Sequence, residues 1–107
     1  MSFTILYITH PDEQTAKKIT SHLLEKKLVA CGNIFPITSA FWWKNEIQHE
    51  AEWVSIVKTA TELGQVVQAE VEKIHSYEVP CIMRFEVSAN EAYERWIRES
   101  VELGFSG

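Results

Sequence analysis

Apolar and polar positions follow one another most tellingly between Leu28 and Thr59. The chain there reads LVACGNIFPITSAFWW, then KN, then EIQHEAEWVSIVKT, two β-rich arms about a tight turn. Each arm has about 14 residues, roughly twice the usual strand length. The outer half of so long a hairpin has little of its own chain to pack against. It is expected to pack on something else, most simply another copy of the same chain.

The pattern also suggests a register. Asn45 tolerates positive φ, so a three-residue loop from Trp43 to Asn45 is expected, pairing Trp42 with Glu46. Odd positions then share a face, collecting Phe35, Ile37, Phe41, Ile47, Ala51 and Trp53. The opposite face near the tip collects Trp42, Glu46, Gln48, Glu50 and Glu52. A two-residue loop, Lys44-Asn45, would set Glu52 against Ile37 and Gln48 against Phe41, and the mixed faces count against it. Beyond Trp53 alternation stops, so the base of the hairpin is expected to be buried on both sides.

Around the hairpin the periods alternate. Phe3 to Thr9 is β-branched and aromatic without alternation, which suits a strand buried on both faces. Asp12 is an N-cap for a helix with Ala16, Ile19 and Leu23 on its apolar face, running to about Lys27. After the hairpin, Thr61 is expected to cap a second helix with Leu63, Val66, Val67 and Ile74 on one face, and Pro80 forbids its continuation. Cys81 to Val87 reads as a fourth strand. Asn90 then caps a third helix that shows Tyr93, Trp96, Ile97 and Val101, and Gly104 to Gly107 read as frayed. The order β-α-β-β-α-β plus a terminal helix predicts an α+β, ferredoxin-like βαββαβ sandwich. Both main helices lie on one sheet face, and the other face needs a partner. Closed rotational symmetry is the usual end of such self-contact. A single domain over residues 1–107 is expected.

Composition narrows the function classes. The net charge of −5 argues against nucleic acid and anionic membranes as partners, which need a positive surface. Two cysteines, Cys31 and Cys81, make no disulfide framework, and no apolar run is long enough to span a bilayer. A soluble, reducing, cytoplasmic setting is expected. No nucleophile-base-acid set, Gly-rich phosphate loop or CxxC pair appears, so no enzyme is predicted.

The run Ala30-Cys31-Gly32-Asn33-Ile34-Phe35-Pro36, then Ser39 with Phe41-Trp42-Trp43, then Glu52 and Lys58-Thr59, resembles the CutA divalent-cation-tolerance family. His75-Ser76-Tyr77-Glu78-Val79-Pro80 is similar to the family's second signature, and the resemblance extends from Thr9 to about Val101. It implies a ferredoxin-like homotrimer whose long hairpins wrap neighbouring subunits. It also implies a role in copper or divalent-metal binding or tolerance without catalysis, and an architecture similar to trimeric PII-type signalling proteins. Against the family pattern, Ser76 stands where a proline is frequent, Cys81 where a glutamate is frequent, and Ile8 where some members carry a cysteine.

Of the metal ligands this resemblance implies, His75 is retained, and Cys81 supplies a thiol in place of the carboxylate. Thiolate with imidazole suits Cu(I) or another soft metal better than Mg or Ca. The sequence therefore predicts a metal pair, His75 and Cys81, at a cleft between subunits, with no required cofactor. Two ligands fall short of the four of a structural zinc site. His10, His22 and His49 show no ligand spacing, with His22 expected at the solvent boundary and His49 at a subunit contact. Cys31 reads as a core thiol, the aromatic cluster Phe41-Trp42-Trp43-Trp53 as interface packing, and Glu46, Glu50 and Glu52 as a solvated strand face. A structural or partner-binding trimer with no metal function is the alternative, and a Cys81 nucleophile with His75 as base a remote third.

Overall fold

The computed structural model describes residues 2–103, so the frayed end expected over Gly104 to Gly107 lies outside the described residues. In chain order it contains β1 (Phe3–His10), α1 (Glu13–Glu25), β2 (Cys31–Trp43), β3 (Glu46–Thr59), a 3-10 turn (Thr61–Leu63), α2 (Gly64–Ile74), β4 (Ile82–Val87) and α3 (Glu91–Ser100). The strands form one sheet in the order β2-β3-β1-β4, every neighbouring pair antiparallel. That α+β order is the one a split βαβ pattern produces.

Helix starts follow local chemistry only in part. Asp12 caps α1, its carboxylate accepting the Thr15 N–H at 2.7 Å. Thr61 does not cap α2: it opens the 3-10 turn, and neither that turn nor α2 has a side-chain cap. Asn90 holds the cap position of α3 without a side-chain bond. Glu94 instead reaches back to accept the Ala89 N–H at 3.4 Å. α2 stops at Ile74, well before Pro80, because His75 turns extended.

Helices α1 and α2 cover one sheet face. Leu6, Ile8 and Val57 point into a core with Ile19, Leu23, Val67 and Val71. Between the two helices the buried Glu70 accepts from His22 at 2.6 Å and pairs with Lys26 at 3.2 Å. These bonds hold its carboxyl below the usual range, against the opposing effect of burial. Gly32 lies where β2 passes beneath α1. A Cβ there would fall 2.6 Å from Thr20 Cγ2 and 3.3 Å from Val57 Cγ1. Gly32→Ala should therefore destabilise the fold by about 1–3 kcal/mol, the usual range for overpacking. Urea unfolding checks it, and an unchanged midpoint would show that α1 yields freely.

On the opposite face Tyr93 of α3 covers one end of the sheet, its ring 6.0 Å from that of Phe3 on β1 and its hydroxyl 3.1 Å from Lys58 Nζ on β3. Further along, Met83 and Phe85 stay 43% and 46% exposed. The last β1–β3 pair is His10 with Trp53, so the seven β3 residues Glu46 to Glu52 pair with β2 alone. This overhang carries Trp42, 71% exposed, and Ile47, 58% exposed.

The register differs from the sequence expectation. The turn has two residues, Lys44 and Asn45, with φ of 52° and 66°, and Trp43 pairs with Glu46. Two successive positive φ values make the primed hairpin turn whose twist matches the flanking strands. Phe35, Ile37, Phe41 and Trp43 therefore share a face with Glu52, Glu50, Gln48 and Glu46, while Ile47, Ala51 and Trp53 join Trp42 on the other. The mixed face is tolerated because the overhang packs on no core of this chain, so burial does not dictate the register there.

Candidate ligand cleft

Residues facing one another across the overhang build one wall of a cleft of about 740 Å³. Phe41, Trp43, Glu50 and Glu52 come from the hairpin, and Tyr77, Glu78, Val79 and Cys81 from the segment between α2 and β4. The volume falls in the range of small-ligand sites.

His75 anchors that segment. Its Nε2 lies 2.6 Å from the Thr9 carbonyl oxygen, which can only accept, so Nε2 carries the proton. Its Nδ1 accepts the Tyr77 N–H at 3.1 Å. Both ring nitrogens of His75 are thus engaged within the chain. Cys81 is held from the other side of the same residue, its carbonyl accepting the Thr9 N–H at 3.3 Å. The structure therefore gathers His75 and Cys81 around Thr9 but gives them different surroundings. Cys81 lines the cleft, and His75 does not. Burial, then the charge of Glu52, pushes the Cys81 thiol up. Among the described residues no three His, Cys, Asp or Glu side chains converge closely enough to hold a metal ion.

Tyr77 closes the segment onto the hairpin, its hydroxyl donating to Glu52 Oε2 at 2.7 Å. Burial, this bond and the Glu52 charge raise the phenol well above its ordinary value. Glu52 is only 8% exposed, which corrects its placement on a solvated strand face. The outward-alternating pattern of the glutamates concealed it, because the side chain that covers it lies far along the chain.

Behind the cleft His10 is fully buried, stacked on His75 with ring centroids 5.4 Å apart. Its Nε2 shares a 2.7 Å hydrogen bond with Ser55 Oγ, while Nδ1 has no partner. The other residues singled out from sequence lie elsewhere. His22 sits half-buried on Glu70, His49 is exposed on the far hairpin face, and Cys31 lies 3.5 Å from the Tyr93 hydroxyl.

Comparison with known families gives a match over residues 4–100 to the model described as CutA1 divalent ion tolerance protein. The chain belongs to this family. It is 43% identical over 98 residues to the divalent-cation tolerance protein CutA of Thermotoga maritima, covering 91% of this chain and 97% of the relative. A solved structure from Archaeoglobus fulgidus, described as a periplasmic divalent cation tolerance protein CutA, is similar with a TM-score of 0.89. It shares 45% identity and covers 95% of this chain and all of that one. A protein from Nostoc sp. PCC 7120, described as PII-like protein CutA in apo form, aligns with a TM-score of 0.88 at 26% identity, covering 94% and 98% of the two chains. No helix among the described residues is long and apolar enough to cross a membrane.

Proposed function

We propose that this chain acts as a non-catalytic homotrimer that takes up soft metal cations in clefts completed between subunits, in a reducing, cytoplasmic setting. The observation that supports this reading is the cleft beneath the hairpin overhang, where Cys81 stands with Glu50, Glu52 and Glu78. Both cysteines are free thiols. Family membership points to divalent cations, and a thiol among the donors points to their soft end, Cu(I) above all. One chain brings too few ligands together, so a second subunit completes the set. Cys81 is the first ligand. His75 joins only by giving up Thr9 or Tyr77. The raised Cys81 thiol counts against a nucleophilic role and also means that a metal must displace its proton to bind.

Two measurements test it. Sedimentation equilibrium should give about three times the 12.3 kDa of one chain, and a stable monomer at micromolar concentration refutes the assembly. A Cu(I) competition titration should show affinity that falls with pH, as protons compete for the ligands, and that drops in Cys81→Ser. Equal affinity in wild type, Cys81→Ser and His75→Ala refutes the metal reading. The engaged nitrogens of His75 and the likeness to a PII-like protein favour the second reading in that case, a partner-binding trimer without metal function.

A further inference from the structure

We infer that residues 75–81 form a strap that closes the cleft, and that the Tyr77–Glu52 hydrogen bond is the latch that holds it shut. The strap regulates the cleft on which the proposed function rests, whatever ligand enters there.

The strap is pinned at both ends and loosely held between them. At one end the His75 ring donates to the Thr9 carbonyl at 2.6 Å. At the other the Thr9 N–H donates to the Cys81 carbonyl at 3.3 Å. One residue of β1 thus holds both ends. Between them residues 76–80 adopt no helix or strand, and among the described residues they make no backbone–backbone hydrogen bond. Glu78 is exposed, and Val79 is 70% exposed. A segment with so few bonds belongs to the low-stability part of a fold, from which lids over ligand sites are drawn. Pro80 fixes its own φ and restricts Val79, so the freedom lies in residues 76–78.

Tyr77 sits in the middle of that free stretch. Its hydroxyl, donating to Glu52 Oε2 at 2.7 Å, makes the one side-chain hydrogen bond between strap and hairpin among the described residues. Glu52 is buried under this contact, whereas Glu50, two residues along the same face, has no such partner and is exposed. Releasing Tyr77 loses a hydrogen bond to a charged group but returns the Glu52 carboxylate to water. The two effects oppose one another, which leaves the latch easy to shift. Tyr77, Glu78, Val79 and Cys81 all line the cleft, so a strap swung away from the hairpin widens it and bares the Cys81 thiol.

The test alkylates the full-length, metal-free protein with iodoacetamide and follows both cysteines by peptide mass. Cys31 lies outside the cleft, 3.5 Å from the Tyr93 hydroxyl, and serves as the internal reference. Rates across pH give the rate per thiolate, which separates access from proton release. Tyr77→Phe keeps the ring and removes only the donor. It should alkylate Cys81 at least about threefold faster, a shift within reach of one lost hydrogen bond, with Cys31 unchanged. Glu52→Ala removes the acceptor and should do the same, and the two changes together should do no more than either alone. A smaller change at Cys81, equal acceleration of both cysteines, or additive effects of the two substitutions overturns the inference. No metal enters this test, so its failure leaves the Cu(I) titration to decide the metal reading. Equal Cu(I) affinity in all variants, in turn, leaves the strap standing.

Discussion

Leu6→Ala should cost about 2–5 kcal/mol of stability, the range for truncating a buried leucine whose surroundings relax only partly. Leu6 is wholly buried in the central strand β1, flanked by β3 and β4 and covered by the residues of α1 and α2 that share its core. Strands on both sides leave the backbone little room to collapse into the void. Thermal or urea unfolding reads the loss directly, and a cost under about 1 kcal/mol would mean that the helices resettle over the sheet. Phe85→Ala makes the contrast. Its ring lies on the uncovered face at the outer strand, so in an assembled protein its loss should appear as weaker association. Sedimentation of the two variants distinguishes a core defect from an interface defect.

Acid should destabilise the protein through His10. Burial, then the neighbouring His75, lowers its pKa from 6.5 to about 4, with Asp12 and Glu52 acting in the opposite direction. The folded state therefore holds a neutral imidazole where the unfolded chain takes up a proton. Stability from this residue is fully present above about pH 6.5 and is lost progressively as pH falls toward 4. Below that both states are protonated and no further loss comes from this group. The depression corresponds to about 3 kcal/mol at one pKa unit per 1.36 kcal/mol. Urea unfolding from pH 7 to 4 should show it, and His10→Gln should flatten the dependence across that window while lowering stability at pH 7. An unchanged slope in His10→Gln would assign the acid sensitivity to other groups.

His10 also marks a limit of reading the chain without its fold. In sequence it closes an apolar run beside Pro11 and Asp12 and looks like the polar end of a strand. In the structure it is the last inward position of β1, paired with Trp53 and stacked on His75. Its alternation with Leu6 and Ile8 was a signal for burial, but the histidine above it comes from a segment 65 positions away, as the stacked pair itself records.

The order and kind of the elements were legible because they rest on local physics. Apolar positions recurring at helical spacing in α1, the Asp12 cap, the unbroken β-branched run of β1 and the two long arms of the hairpin each follow from neighbours along the chain. The antiparallel order β2-β3-β1-β4 then follows from the way such elements bury their apolar faces. The hairpin register was decided only by tertiary structure. At the overhang neither face meets this chain's core, so hydrophobic patterning lost its authority and the turn geometry of Lys44 and Asn45 set the pairing. The cleft was decided in the same way. Glu52 and Tyr77, or His75 and Thr9, become partners only when β3, β1 and the segment after α2 are brought side by side. Burial and hydrogen bonding between residues distant in sequence leave no periodic trace, which is why the sequence could nominate Cys81 and His75 but not reveal that one faces the cleft while the other is tied into the chain behind it.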